Sequence, residues 1–436
     1  MSIATRIDFL SPHYNVRVIR QISTAVLVAA AVAATAPFVR AQEVTVLANT
    51  FENQTGERGL DWLGEGLAFL IAEKLGAQRQ LYVFGFDERA AAYDRLGIPE
   101  NVPISRATAI RIGWDMGADV LVSGRFSGTH QEFRIEARVL DLDASRSRAD
   151  VAVTGRLDDV IPLAASLASK LAQQLVPGAQ VPESDYVAQP PIPRSAFEAY
   201  IRGMLATEQQ RHFDLLQEAI RLHPQYTAAM YQLGQSYYLD ANYKASSGLL
   251  ERVSAVSPEY PLARFMLGMD YYRLGDAAKA IAVFSTLPPS YDVLINLGAA
   301  HALEGNAAAA YTVWRRAASV PTDTQEALFN LAYLAFNQGD VDTAADGLNE
   351  FLRNHNRDAE AQFLLGRVYE RIGRTEDAQR LFTQSTRLSP RLERWVGAPL
   401  PNLTRLRTQF DATELRLPAG VSLWTEARLS RKPPLP

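Results

Sequence analysis

The chain has 436 residues, 47% of them hydrophobic, enough for about three folded regions at roughly 150 residues each. A formal net charge of -4 supplies no broad cationic field, which excludes nucleic acid and acidic lipid surfaces as expected partners. With no cysteine, disulfides, thiolate catalysis, cysteine zinc sites and a lipid-modified N-terminal cysteine are excluded as well.

Residues 1–41 are expected to be an export signal. Arg6, Arg17 and Arg20 precede the apolar run ISTAVLVAAAVAATA (22–36), and PFVRAQ offers a cut after Ala41. The alternative is an uncleaved anchor, but this run, followed by Pro37 and Arg40, is short for a membrane span of about 20 residues. Cleavage would leave a chain without an integral span, exported to the periplasm or secreted.

From Val44 onward strand-like and helix-like stretches alternate. VTVLANT is a β-rich run; LDWLGEGLAFLIAEKLG then sets Leu60, Leu63, Leu67, Leu70, Ile71 and Leu75 on one helical face. QLYVFGF predicts a second strand, DERAAAYDRLG a helix, and a further helix starts near Ser105. DVLVSGRFSG, EFRIEARVLDLD and ADVAVTGRL follow as three strands, and an amphipathic helix spans about residues 158–175. The order predicts an α/β domain over 42–176, a mixed sheet with packed helices.

Phe51, Asn53, Trp62, Leu63, Gly64, Glu65, Gly66 and Leu67, then Gly117, Ala118 and Gly124, carry a resemblance. In these positions the region resembles the extracytoplasmic domain related to the N-terminal domain of TolB and to the FlgO and CsgG envelope proteins. That resemblance implies envelope location, protein contacts, possible homo-oligomer formation through the α/β domain, and no reaction. Gly59, Gly64 and Gly66 fit neither dinucleotide nor phosphate-loop spacing, so they are expected to serve close helix–sheet packing.

Five prolines between residues 177 and 194 deny helix and ladder donors, marking a semi-rigid linker. Beyond it, Leu233-Gly234, Leu267-Gly268, Leu297-Gly298, Leu331-Ala332 and Leu365-Gly366 recur at intervals of 34, 30, 34 and 34 residues. Tyr237, Tyr271, His301, Ala335 and Tyr369 keep the same register, as do Gly275, Gly305, Gly339 and Gly373. So do Leu250, Phe284, Trp314, Leu348 and Phe382. A 34-residue helical-hairpin period is similar to that of tetratricopeptide repeats. The expectation is therefore an all-α solenoid over 195–390, with five clear units and a degenerate first one with a shortened turn. The third unit lacks four residues near STLPPSYD, predicting a local irregularity between Thr286 and Asp292.

The resemblance to this family implies a protein or peptide partner in a concave groove lined by the first helix of each hairpin. The second, fifth, ninth and twelfth places of each unit would carry that role: Tyr231, Gln235, Tyr238, Phe265, Met269, Tyr272, Ile295, Phe329, Tyr333, Phe336, Phe363, Arg367 and Glu370. So aromatic a surface needs cover, from a partner, the first domain or the C-terminal segment. Residues 391–436 are expected to form a cap, with a helix near residues 403–410, and a disordered tail. Eight Lys/Arg against four Asp/Glu there suggest a solvated basic end.

Nothing in the sequence points to an enzyme, a cofactor or a metal. The six histidines do not pair at ligand spacings, and no HExxH or GxSxG occurs. Glu65, Asp141 and Asp143 could form an acid/base pair only in principle. The sequence thus predicts a non-catalytic exported scaffold in cell-envelope assembly, or else a structural component that oligomerises at the outer membrane.

Overall fold

A computed structural model describes residues 43–78, 80–98, 104–144, 146–148, 150–176, 191–322 and 324–410. The signal-like segment, most of the proline-rich linker and the chain after 410 lie outside the described residues.

The first region is a mixed sheet of β1 (Val44–Ala48), β2 (Glu52–Asn53), β3 (Leu81–Val83), β4 (Val120–Gly128), β5 (Phe133–Asp141), β6 (Arg146–Ser147) and β7 (Val151–Gly155). Its main order is β3-β1-β4-β5-β6, with β2 beside β4 and β7 beside β5. β1 runs parallel to β3 and β4, and β4 and β5 form a long antiparallel ladder. Side chains alternate between faces, as a period of two requires. Val46, Ala48, Val120 and Val122 join one core with α1 (Trp62–Gly76) and α4 (Val160–Leu175). Leu47, Leu121 and Leu140 join another with α2 (Phe86–Leu96) and α3 (Arg106–Met116).

The three glycines of the first turn differ in use. A Cβ on Gly64 would collide with the Phe51 carbonyl oxygen, so Gly64 does serve close packing of α1 on the sheet region. A Cβ on Gly66 would lie 3.1 Å from the Phe197 ring of the first repeat helix, while Gly59 borders open space, so the packing expectation does not extend to Gly59. Glu65 is bound to Arg89 and Thr50, and Asp141 caps the turn amide of Ala144 at 2.8 Å.

Six helical hairpins follow among the described residues: α5 (Arg194–Leu205) with α6 (Gln209–Leu222), α7 (Thr227–Leu239) with α8 (Tyr243–Leu250), and α9 (Tyr260–Arg273) with α10 (Ala277–Phe284). Then come α11 (Tyr291–Glu304) with α12 (Ala307–Ala317), α13 (Gln325–Gln338) with α14 (Val341–Asn354), and α15 (Ala359–Arg371) with α16 (Thr375–Leu388). The recurrent glycine is a notch for the large side chain sixteen residues later. A Cβ would come within 2.8 Å of Leu250 at Gly234, 2.6 Å of Phe284 at Gly268, 2.6 Å of Trp314 Cδ1 at Gly298 and 2.7 Å of Phe382 at Gly366. In the first hairpin a Cβ on Gly203 would come within 3.1 Å of Leu216, thirteen residues on, which accounts for its degenerate spacing by a shorter turn.

Gly275, Gly305, Gly339 and Gly373 take φ of 79°, 87°, 82° and 76°, the left-handed geometry that ends a helix without steric cost. The next residue caps the following helix: Asp276, Asn306 and Asp340 each accept a backbone N–H with the side chain, as does Asn242. The second hairpin keeps the geometry without the glycine, because Ala241 stands there at φ 57°. An L-residue pays about 1–2 kcal/mol in that region, against roughly 0.5–1 kcal/mol for glycine's greater unfolded freedom. Ala241→Gly should therefore raise stability by roughly 0.5–1 kcal/mol, read as a higher urea midpoint; a lower midpoint would contradict it.

The shortened third unit is absorbed locally. α10 stops at Phe284, and Ser290 caps α11 through Val293 N at 3.3 Å. At the far end the last hairpin is covered by a 3-10 turn, Pro390–Trp395, with Leu392 buried against Phe363 and Phe382. The helix expected near residues 403–410 does not form: no helical turn is present there, and the segment lies extended across the repeats.

Asp270 is a buried polar residue with a pH signature. It is fully buried on α9 beside Ser246, and burial pushes its carboxyl up to about 8, with the Ser246 hydroxyl acting in the opposite direction. From the ordinary value of 3.8 up to about 8 the unfolded chain ionises first, so this group makes stability fall as pH rises and then level off. Asp270→Asn should flatten that part of the slope and stabilise the chain at pH 8, as checked by urea unfolding across the range. An unchanged slope would show that Asp270 is not its source.

Candidate functional site

The site is the face of the first helices on which the chain's own residues 400–410 lie. Two buried asparagines, Asn296 on α11 and Asn330 on α13, set the strand's position. Asn330 donates to the Arg405 carbonyl at 2.9 Å and accepts the Arg405 N–H at 2.8 Å. Asn296 does the same to Arg407, at 2.9 Å in both directions. A side-chain amide has the same donor–acceptor pair as a peptide group, so each asparagine satisfies one residue of the strand as a neighbouring β-strand would. The two asparagines are one repeat apart, and the residues they hold are two apart. One step of the solenoid thus matches one two-residue pleat.

Side chains add a second layer. Arg405 Nη2 reaches both Asp358 oxygens at 2.7 and 2.8 Å, and its guanidinium lies 3.6 Å from the centre of the Phe329 ring. Arg407 donates from Nε to Asp292 at 2.8 Å and from Nη1 to Glu326 at 3.0 Å. Asp292 and Glu326 lie in the first turns of α11 and α13, and Asp358 caps α15. Leu403 is buried in the cluster of Phe329, Leu364 and Leu365, and Leu406 packs against two neighbouring clusters. Phe410 stacks on Phe265 with centroids 4.8 Å apart. Tyr333 donates to the Pro401 carbonyl at 3.2 Å, and Asn402 donates to the Tyr272 hydroxyl at 3.4 Å. Burial raises the Tyr272 and Tyr291 hydroxyls above their ordinary values, keeping both neutral hydrogen-bonding groups.

The predicted groove residues therefore divide. Phe265, Tyr272, Phe329 and Tyr333 meet the strand directly, and Met269 is one step behind, its sulfur 3.1 Å from Asn296 Nδ2. Ile295 is buried in the cluster that Leu406 flanks. Tyr231 and Gln235 are buried in α7, and Tyr238 packs edge-on against Tyr243 of its own hairpin. Phe336 lies under Arg371 of the next repeat, Arg367 pairs with Glu370, and Phe363 is a core residue against Phe382. Of the basic end expected to be solvated, Arg391, Arg405 and Arg407 are held in ion pairs, with Glu360, Asp358 and Asp292. The residues missed are Asn296, Asn330, Asp292, Glu326 and Asp358. Their signal was in the sequence, since an acidic residue followed four places later by asparagine occurs at 292/296 and again 34 residues on at 326/330.

Among the described residues no helix is long and apolar enough to cross a membrane, and no cluster of metal-ligating side chains occurs. One tetratricopeptide repeat family model matches residues 231–291 and 329–391, and a second one matches 292–316. No curated protein matches the chain. Solved structures similar to it include MamA from Desulfovibrio magneticus, 14% identical with a TM-score of 0.36, covering 38% of this chain and 98% of that one. YrrB, described as a TPR protein with an unusual peptide-binding site, is 15% identical with a TM-score of 0.33, covering 42% and 94%. A thermophilic TPR protein of Thermus thermophilus is 21% identical with a TM-score of 0.33, covering 38% and 94%. With the notched glycines, capped turns and family matches in the same register, residues 231–316 and 329–391 are tetratricopeptide repeats.

Proposed function

We propose that the protein is an exported, non-catalytic scaffold of the cell envelope that holds an extended protein segment in the concave groove of its repeats. The observation that carries the binding part is the pair of amide clamps, Asn296 on Arg407 and Asn330 on Arg405. Clamps of this kind satisfy the backbone of an extended chain whatever its sequence, so the same groove can receive a strand from another protein. The export part rests on the composition of residues 1–41 and on the resemblance of the α/β region to envelope domains of the TolB, FlgO and CsgG type.

Two measurements test this. The mass of the mature chain should correspond to cleavage after Ala41, and an intact N-terminus in the cytoplasmic fraction would remove the export reading. A photo-crosslinking residue at Tyr333, in the groove, should capture a partner in the producing cell that the same probe at exposed Tyr311 does not capture. The same products from both positions would remove the groove as the binding face.

A further inference from the structure

The clamps are indifferent to sequence, so selectivity must come from the pockets beside them. Along the strand, Arg405 and Arg407 are two apart, which in extended chain sends both side chains to one side. Each enters an acidic pocket built from successive repeats: Asp358 with the Phe329 ring for Arg405, and Asp292 with Glu326 for Arg407. Apolar sites flank them, for Leu403 beside Leu364 and for Phe410 on Phe265. Bidentate or doubly accepted guanidinium groups over aromatic faces are geometry that lysine does not reproduce.

Building on the scaffold reading above, we propose that the groove selects an extended segment of a partner protein carrying arginine-x-arginine between a leucine and a phenylalanine. Residues 400–410 of the chain itself are a resident competitor that such a segment displaces. The segment is only partly covered: Asn402, Thr408 and Gln409 are exposed, and the Arg407 side chain keeps 35% of its surface in solvent. Tethering gives this internal segment an effective concentration on the order of millimolar. A free segment of the same chemistry therefore binds the unaltered chain weakly, and binds well once the tethered one is loosened.

The test uses the full chain and a fluorescein-labelled synthetic peptide, Leu-Pro-Asn-Leu-Thr-Arg-Leu-Arg-Thr-Gln-Phe, followed by fluorescence anisotropy. A chain carrying Arg405→Ala with Arg407→Ala should bind this peptide at least tenfold more tightly than the unaltered chain. It should bind a peptide with both arginines replaced by alanine at least tenfold more weakly. Arg405→Lys with Arg407→Lys keeps the charges and serves as the loosened chain if the alanine variant does not fold. Equal binding of the two peptides would overturn the arginine selectivity and leave the scaffold reading standing, because the Tyr333 crosslink does not depend on it. Equal binding by loosened and unaltered chains would overturn the competition. A dimer in sedimentation that dissociates on Arg405→Ala would place a second copy's segment in the groove and overturn the assignment to a different partner. Loss of the Tyr333 crosslink with peptide selectivity intact would count against the scaffold reading alone.

Discussion

Replacing Trp314 with alanine should lower the stability of the repeats by about 3–5 kcal/mol. The indole is 1% exposed, fills the notch left by Gly298 and donates from Nε1 to the Ile295 carbonyl at 3.0 Å. Alanine would leave a cavity between α11 and α12 and remove the indole hydrogen bond, and the surrounding helices can close only part of that space. Urea unfolding followed by the helical signal at 222 nm reads the loss. The partner substitution Gly298→Ala should also destabilise, since its Cβ would press on the indole. In the double variant the two losses should fall short of their sum, because the smaller side chain makes room for the new methyl group. Strict additivity would show that the notch and the ring are not a fitted pair.

The second large effect concerns the strand. Asn296→Ala with Asn330→Ala removes four hydrogen bonds between fully buried amides and the backbone of residues 405 and 407. At about 1 kcal/mol net for each, the strand should lose about 4 kcal/mol of docking energy. That corresponds to about a thousandfold fall in the amide-exchange protection of Arg405 and Arg407, at 1.4 kcal/mol for each tenfold step. The interiors of α11 and α13 should keep theirs, since the removed groups bond outward to the strand. Unchanged protection at Arg405 and Arg407 would mean that the arginine ion pairs alone hold the strand.

Much of the repeat architecture could be read from local pattern, because each of its devices is local. A notch glycine and its filler stand sixteen residues apart, and a turn glycine precedes its capping Asp or Asn. Both spacings are fixed by one hairpin. The extended segment was not legible for a physical reason. Leu403, Leu406 and Phe410 are spaced three and four apart, the pattern of one helical face. Without knowledge of the groove, helix is the natural expectation for such a stretch. What makes it a strand is non-local: Asn296 and Asn330 offer its backbone the partners that a helix would otherwise supply from within. Counting aromatic residues points to Phe336 and Phe363, which pack between helices, and away from the sixth place of the two units that start at Tyr291 and Gln325, where the clamps Asn296 and Asn330 stand. In the first region the β-rich run VTVLANT points to a strand, and the two separate clusters that take Val46 and Ala48 on one side and Leu47 on the other show that both faces of the sheet are covered.

The first hairpin has no hydrophobic core of its own. Phe197 meets Trp62 edge-on at 5.8 Å, Tyr200 meets Phe69 at 5.6 Å, and one continuous cluster runs from the sheet strands through α1 and α4 to Leu233 of the second hairpin. A joint of that kind cannot swivel without tearing open apolar surface. A tug that reaches the first hairpin along the repeats would therefore arrive at the sheet as torque, and the sheet would act as the fixed end of a lever.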